Sequence, residues 1–233
     1  MSKGTVVLVD HPVGKRDDRA SRMIAERGYA LRWYCPGKGD ALPAPSADHV
    51  AAVVYGGAED LSKSQDQSYI RHELDWIEGW IARDKPFLGI CLGAQLLAQT
   101  LGARVAPHPE GLHEIGYFPV DPTPSCDGFL DARMHVYHWH KEGFEVPSEA
   151  TLLATGDAFP NQAFRFGDTA YGLQFHPEVS AAVMQRWLTD AEHMLAAPGA
   201  CTREQQLADS ERYDQAMLAW FEGFLDDWLP PAD

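Results

Sequence analysis

The sequence predicts an α/β fold: a doubly wound, mostly parallel sheet with helices on both faces and a small antiparallel or mixed extension. Three observations predict it. Short runs of consecutive apolar residues, rich in valine, read as strands covered on both faces. They alternate with stretches whose apolar residues recur every three or four positions, and a β-α-β-α order requires parallel strands joined by crossovers. After about residue 103 the texture changes, and Gly, Pro and His interrupt shorter strand candidates.

The elements follow in order. Thr5–Val9 (TVVLV) reads as a buried strand ending at Asp10, and residues 17–27 as a helix with Gly28 as its C-cap. Tyr29–Tyr34 is a second strand, closed by the Pro- and Gly-rich loop CPGKGDALPAP. His49–Tyr55 is a third, running straight into Gly56-Gly57. Residues 66–83 form the strongest helix: Ile70, Leu74, Ile77 and Ile81 share a face that Trp76 and Trp80 broaden. Pro86–Ile90 is a fourth buried strand, and Leu92–Leu101 a helix stopped at Gly102. The extension contributes Ile115–Val120, Arg133–His140, Thr151–Ala154, Gln162–Phe166 and Ala170–Phe175. Residues 179–196 and 203–229 read as helices separated by a Pro198-Gly199 break. No repeat, low-complexity tract or linker divides the chain. Residues 1–233 are therefore expected to form a single domain, with a core at about 5–190 and a C-terminal helical extension at about 200–229.

Charge narrows the function. Lys plus Arg number 19 and Asp plus Glu 34, a net of −15. That surplus excludes a general nucleic-acid binder and is repelled by anionic membrane surfaces. A hydrophobic fraction of 45% excludes a disordered acidic tail. The start, MSKGTVVLVDHP, is too short in apolar residues for a signal peptide, and no run of about 18 apolar residues occurs. Cys35, Cys91, Cys126 and Cys201 are scattered without a CxxC pair, so a cytoplasmic location is expected rather than a disulfide framework.

The chemistry concentrates at Phe87-Leu-Gly-Ile-Cys-Leu-Gly-Ala-Gln95. A strand enters, a helix leaves, and Cys91 stands between Gly89 and Gly93 in the G-x-nucleophile-x-G arrangement. The glycines permit a tight turn at the carboxyl edge of the sheet, where open α/β sheets bind ligands. The helix N-terminus favours a thiolate, and the Leu92 N–H faces an oxyanion formed by attack from Cys91. The alternative is an ordinary glycine turn with a buried structural cysteine. A nucleophile of this kind needs a base and a group to orient it. Gly172-Leu-Gln-Phe-His-Pro-Glu178 supplies both, since His176 and Glu178 lie two apart and project to one side of an extended chain. Taken alone, His-Pro-Glu also fits a surface turn.

GICLGAQ at 89–95 together with GLQFHPEV at 172–179 resembles the class I glutamine amidotransferases, the triad glutaminases, over roughly residues 5–190. Glu114–Val120 (EIGYFPV), His138-Trp139-His140 and Asn161-Gln-Ala-Phe164 are similar to the stand-alone, GMP-synthase-like branch. The resemblance implies a flavodoxin-like sheet and no cofactor or metal. It implies that Cys91 attacks the glutamine carboxamide to give a γ-glutamyl thioester, that His176 moves the protons, and that Glu178 orients His176. Gly57 and Leu92 would donate backbone N–H groups to the oxyanion, and Gly56, Gln95, Trp139 and His140 would contact the substrate.

The chain departs from that pattern at Ala58-Glu59-Asp60, where many members carry proline and a small residue after the double glycine. It also has His140-Lys141-Glu142 where the branch often has His-Gly-Asp. Glu142 is a candidate to receive an amino group. His135, His138 and His140 lack a fourth metal ligand at suitable spacing, and His135 points away from the other two on a strand. Trp220, Phe221, Phe224 and Trp228 read as packing, with an exposed docking face as the alternative.

Glutamine amide hydrolysis is therefore the leading expectation. Residues 1–195 are taken up by the glutaminase fold and about 38 remain, so the ammonia is expected to pass to a separate synthase or be lost. A free-standing γ-glutamyl peptidase with the same three residues is the alternative, and a silent glutamine-binding regulator the third reading. The acidic balance points to a small zwitterionic ligand, with Glu59 and Asp60 beside the site.

Overall fold

The computed structural model describes residues 3–64 and 67–230. The elements are β1 (Thr5–Val9), α1 (Arg19–Glu26), β2 (Ala30–Tyr34), β3 (His49–Val54), α2 (Leu61–Ser64), α3 (Ser68–Ile81), β4 (Phe87–Ile90) and α4 (Leu92–Thr100). There follow β5 (Val105–Pro107), β6 (Glu114–Pro122), β7 (Met134–His140), β8 (Glu142–Phe144), β9 (Ala150–Thr155), β10 (Ala163–Phe166), β11 (Ala170–Leu173), α5 (Ala181–Asp190) and α6 (Arg203–Trp228). Among the described residues nine strands form one sheet, ordered β2-β1-β3-β4-β11-β10-β9-β6-β7. The pairs from β2 through β11 are parallel, and those from β11 through β7 are antiparallel. The expected parallel sheet with an antiparallel extension is the architecture observed.

β1 shows why the valine run needs two covered faces. Val6 and Leu8 enter one core with Met23 and Ile24 of α1, Leu188 of α5 and Phe221 of α6. Val7 and Val9 enter the other, against Ile70, Ile77 and Trp80 of α3 and Leu96 and Leu97 of α4. The period-2 alternation of a strand distributes one apolar run between both layers. The tail aromatics Phe221, Phe224 and Trp228 are buried in the first core, so they pack against the sheet rather than present a docking face. Asp18 caps α1 by accepting from Ser21 N–H at 2.8 Å. The expected C-cap glycines, Gly28 and Gly102, have φ of +92° and +84°.

The differences lie where tertiary contacts outweigh local pattern. β5 and β8, three residues each, pair with one another and are too short to show a periodicity. The helix expected at 179–196 breaks at Ala191 (φ −121°, ψ 30°) into α5 and a 3₁₀ turn at Glu192–Ala196. Trp139 holds that turn over the sheet edge, its Nε1 donating to Met194 Sδ at 3.3 Å. The helix expected at 66–83 is α3; Asp66 lies outside the described residues. β11 ends at Leu173 rather than Phe175, because the chain then crosses to β7, where His176 N–H donates to the Tyr137 carbonyl at 2.8 Å. Among the described residues no helix is long and apolar enough to cross a membrane, and all four cysteines are free.

Candidate active site

Cys91 sits between β4 and α4 with φ 52° and ψ −107°, a sparsely populated conformation for a residue with a Cβ. Its neighbours hold it there. The Cys91 N–H donates to Leu173 of β11 at 2.7 Å, and its carbonyl accepts from Gln95 N–H at 3.0 Å. Only glycines let the turn close: a Cβ on Gly89 would run into the Gly93 backbone, and one on Gly93 into the Val54 carbonyl. The result is a strand-to-helix elbow with the thiol at the carboxyl edge of the sheet.

The His-Pro-Glu turn reaches the same edge. Arg19 N–H, at the start of α1, donates to the Glu178 carbonyl at 2.9 Å, and Ser180 caps α5 just beyond. The turn is therefore fixed on two sides. His176 Nδ1 lies 2.7 Å from Glu178 Oε1, both side chains being buried. Burial disfavours a charged His176, but Glu178 and then Cys91 outweigh it, so the imidazole is held above its ordinary pKa. The Trp187 ring of α5 stands edge-on to the imidazole at 5.0 Å. Gly56 is what leaves Cys91 open to His176: a Cβ there would lie 2.9 Å from His176 Cε1 and 3.5 Å from Cys91 Cβ.

These groups line one cavity of about 880 Å³. Cys91, Leu92, Gln95, Gly56, Gly57, Trp139, His140, His176 and Glu178 all contribute to its wall, as do Glu59, Asp60 and Trp187. A sequence profile of the family described as "Glutamine amidotransferase class-I" matches residues 43–193, a segment that holds the elbow, the glycine loop and the His-Pro-Glu turn. The chain belongs to the class I glutamine amidotransferase family. It is 31% identical over 180 residues to the glutamine amidotransferase-like protein YfeJ of Salmonella typhimurium, covering 73% of this chain and 74% of YfeJ. It is 29% identical over 177 residues to a glutamine-hydrolyzing GMP synthase subunit of Ignicoccus hospitalis, covering 74% and 88% of the two chains. A crystal structure of a glutamine amidotransferase from Thermotoga maritima superposes with a TM-score of 0.87 at 27% identity, covering 99% of this chain and 100% of that one.

Within this amidotransferase cavity the expected substrate contacts divide. Trp139 is half-buried, and its carbonyl oxygen lies 4.0 Å from Cys91 Sγ. Gln95 is buried, and its amide NH₂ donates inward to the Glu142 carbonyl at 2.9 Å and to Gln174 Oε1 at 3.2 Å. His140 lines the cavity with both ring nitrogens engaged: Nε2 lies 3.0 Å from Glu114 Oε2 and Nδ1 3.0 Å from the Glu142 carbonyl. The Glu142 carboxylate is engaged by the N–H and hydroxyl of Ser62, at the start of α2, rather than left open for an amino group. Of the two extra carboxylates, Asp60 is paired with Lys141 at 2.6 Å and Lys63 at 3.1 Å. Glu59 accepts from the Tyr69 hydroxyl at 2.7 Å through one oxygen, and the other is buried without a partner.

A group that the histidine spacing alone did not show is Glu114. β6 and β7 pair with Glu114 opposite His140 and Gly116 opposite His138, which brings one carboxylate and two imidazoles together. Their ligand atoms lie within 4.8 Å of one another, so this is the set that could hold a metal ion. The Glu142 carbonyl can only accept, so His140 Nδ1 carries a proton. Glu114 Oε2 accepts from Gln162 Nε2 at 2.8 Å and lies 3.0 Å from His140 Nε2 and 3.4 Å from His138 Nδ1, while the two imidazoles stand 3.2 Å apart, Nδ1 of His138 to Nε2 of His140. His135 faces the other side and stacks on Tyr213 of α6 at 4.0 Å. Trp187, His11 and Glu73 were also silent in the sequence, because nothing local marks which helical or loop side chain will meet the elbow.

Proposed function

We propose that this chain hydrolyses the side-chain amide of glutamine, or of a γ-glutamyl compound, through a γ-glutamyl thioester on Cys91. The observation that carries the reading is the buried His176–Glu178 pair, 2.7 Å apart, set against a cysteine on a glycine-built elbow. His176 takes the thiol proton as Cys91 Sγ attacks the amide carbon, and the carbonyl oxygen becomes an oxyanion facing the N–H groups of Gly57 and Leu92. His176 delivers a proton to the amide nitrogen as the C–N bond breaks, and ammonia leaves. Water then gives a proton to His176 and attacks the thioester, so that glutamate departs and the thiolate returns. Glu178 keeps the Nδ1 proton in place and offsets the imidazolium charge. Glutamine and water give glutamate and ammonia, with no cofactor required.

Kinship with a GMP synthase subunit supports an ammonia-accepting synthase as partner. The cavity volume favours a second reading, since about 880 Å³ exceeds what a glutamine side chain fills. A γ-glutamyl peptide would place its leaving group among Trp33, Trp187 and Met194.

The test is a substrate panel of glutamine and γ-glutamyl peptides, alongside labelling of Cys91 by an electrophilic glutamine analogue. Turnover of glutamine supports the amidotransferase reading. Turnover of peptides alone supports the peptidase. No labelling, with Cys91→Ala equal to wild type in hydrolysis, leaves only a binding protein.

A further inference from the structure

We infer that His11 is a positioning residue for this reaction: it aims the Gly57 N–H into the cavity by holding the other end of the same peptide unit. The inference rests on the amide-hydrolysis reading above. His11 lies two residues past the end of β1 and is fully buried. Its Nδ1 stands 3.1 Å from the Gly56 carbonyl oxygen, and its Nε2 stands 3.1 Å from Glu73 Oε2 on α3. A carbonyl only accepts, so Nδ1 is the donor.

Peptide planarity does the rest. In a trans peptide the carbonyl of Gly56 and the N–H of Gly57 point in opposite directions. Gly56 and Gly57 line the cavity and His11 does not. A hydrogen bond that fixes the carbonyl on the far side therefore turns the N–H toward the substrate side. A glycine pair would otherwise let this peptide rotate, because neither residue has a Cβ to restrict it. Space confines position 57 to glycine: a Cβ there would run into Glu59 Oε2 and sit 2.6 Å from Leu92 Cδ2 and 2.8 Å from His11 Cγ.

Glu73 anchors the ring. It is 1% exposed, and among the described residues its ion pair is with His11 and its second oxygen, Oε1, has no hydrogen-bond partner. The charged groups that act on His11 are Glu73 and Glu59; burial opposes its charged form, and the two carboxylates outweigh that. A protonated ring donates at both nitrogens, satisfying Gly56 and Glu73 together.

Paired substitutions separate aim from folding. The amide nitrogen of His11→Asn falls near the position of Nδ1 and keeps the donor to Gly56. That of His11→Gln falls near Nε2, keeping Glu73 and losing Gly56. Removing an oxyanion donor outright costs about 10²–10³ in kcat, so a misaimed one in His11→Gln is expected to cost about tenfold to a hundredfold. KM should stay unchanged, because the contact forms only in the transition state. His11→Asn should retain most of kcat. Alkylation of Cys91 by iodoacetamide, which forms no oxyanion, should proceed at the wild-type rate in both. If His11→Gln does not fold, as read by its thermal midpoint, Glu73→Gln serves, with a smaller fall in kcat at constant KM. Equal losses in the Asn and Gln variants, a rise in KM at constant kcat, or a parallel loss of alkylation overturns the inference. A wild-type protein that hydrolyses neither glutamine nor any γ-glutamyl compound defeats the hydrolysis reading itself, and this inference with it.

Discussion

Glu114 of β6 lies directly opposite His140 of β7, with its Oε2 3.0 Å from His140 Nε2 and 3.4 Å from His138 Nδ1. The carboxylate is buried, yet the two histidines and Gln162 hold its pKa down to about 2 against the penalty of burial. Burial drives His138 the other way from a cation, to about 3. In both cases the unfolded chain takes up the proton first, so stability falls as the pH drops. The window for His138 opens near 6.5 and that for Glu114 near 4.5. Urea midpoints measured between pH 6.5 and 3 should therefore decline, and Glu114→Gln should flatten the part below 4.5. At pH 7 that variant should lose about 1–3 kcal/mol, because an amide replaces the buried carboxylate that accepts from Gln162.

The elbow makes a prediction of unusual sign. Replacing alanine by glycine normally weakens a structure, but residue 91 has φ 52°. Cys91→Gly should therefore be more stable than Cys91→Ala by about 1 kcal/mol, since only glycine occupies that conformation without strain. Both variants lack the thiol, so the comparison isolates the backbone. Equal unfolding midpoints would show that the turn carries no strain.

A neighbouring glycine is constrained by space instead. In Gly93→Ala the new methyl group meets the Val54 carbonyl of β3, which is backbone and cannot rotate away. A loss of about 2 kcal/mol or more is expected from such overpacking. A urea titration of the purified variant measures it.

Under the proposed mechanism His176 and Glu178 differ in rank. His176→Ala should lower kcat by about 10⁵–10⁶, and Glu178→Gln by about 10³–10⁴, because the base acts at the reacting atoms and the orienter acts through it. Glu178→Gln should also lower the His176 pKa, read by the pH dependence of its ring resonances, since the carboxylate is the leading contribution holding it up. Steady-state kinetics on the best substrate of the panel gives the order, and the reverse order would mean the roles are exchanged.

The C-terminal helix is a structural layer. Phe221 of α6 is fully buried in the core that also holds Val6, Leu8 and Leu188. Phe221→Ala should cost about 3–5 kcal/mol. A thermal midpoint within error of wild type would return this face to the surface.

The sequence by itself determined the local features. Valine runs, three-and-four spacings and capping glycines act within a few residues, so β1, α3 and α4 were legible with bounds near those observed. Gly89-x-Cys91-x-Gly93 and His176-Pro177-Glu178 were legible for the same reason, since each is a short stretch whose backbone chemistry is complete in itself. Tertiary structure alone decided which distant side chains meet them. His11 reaches Gly56 across 45 positions and Glu73 across 62, and Glu114 finds its histidines only through the register of β6 against β7. Gln95, His140 and Glu142 fit substrate contacts by motif and line the cavity, but only the packed fold shows the hydrogen bonds that hold each of them in its wall. A buried polar atom must find a partner wherever the packed fold puts one, and one-dimensional spacing does not contain that position.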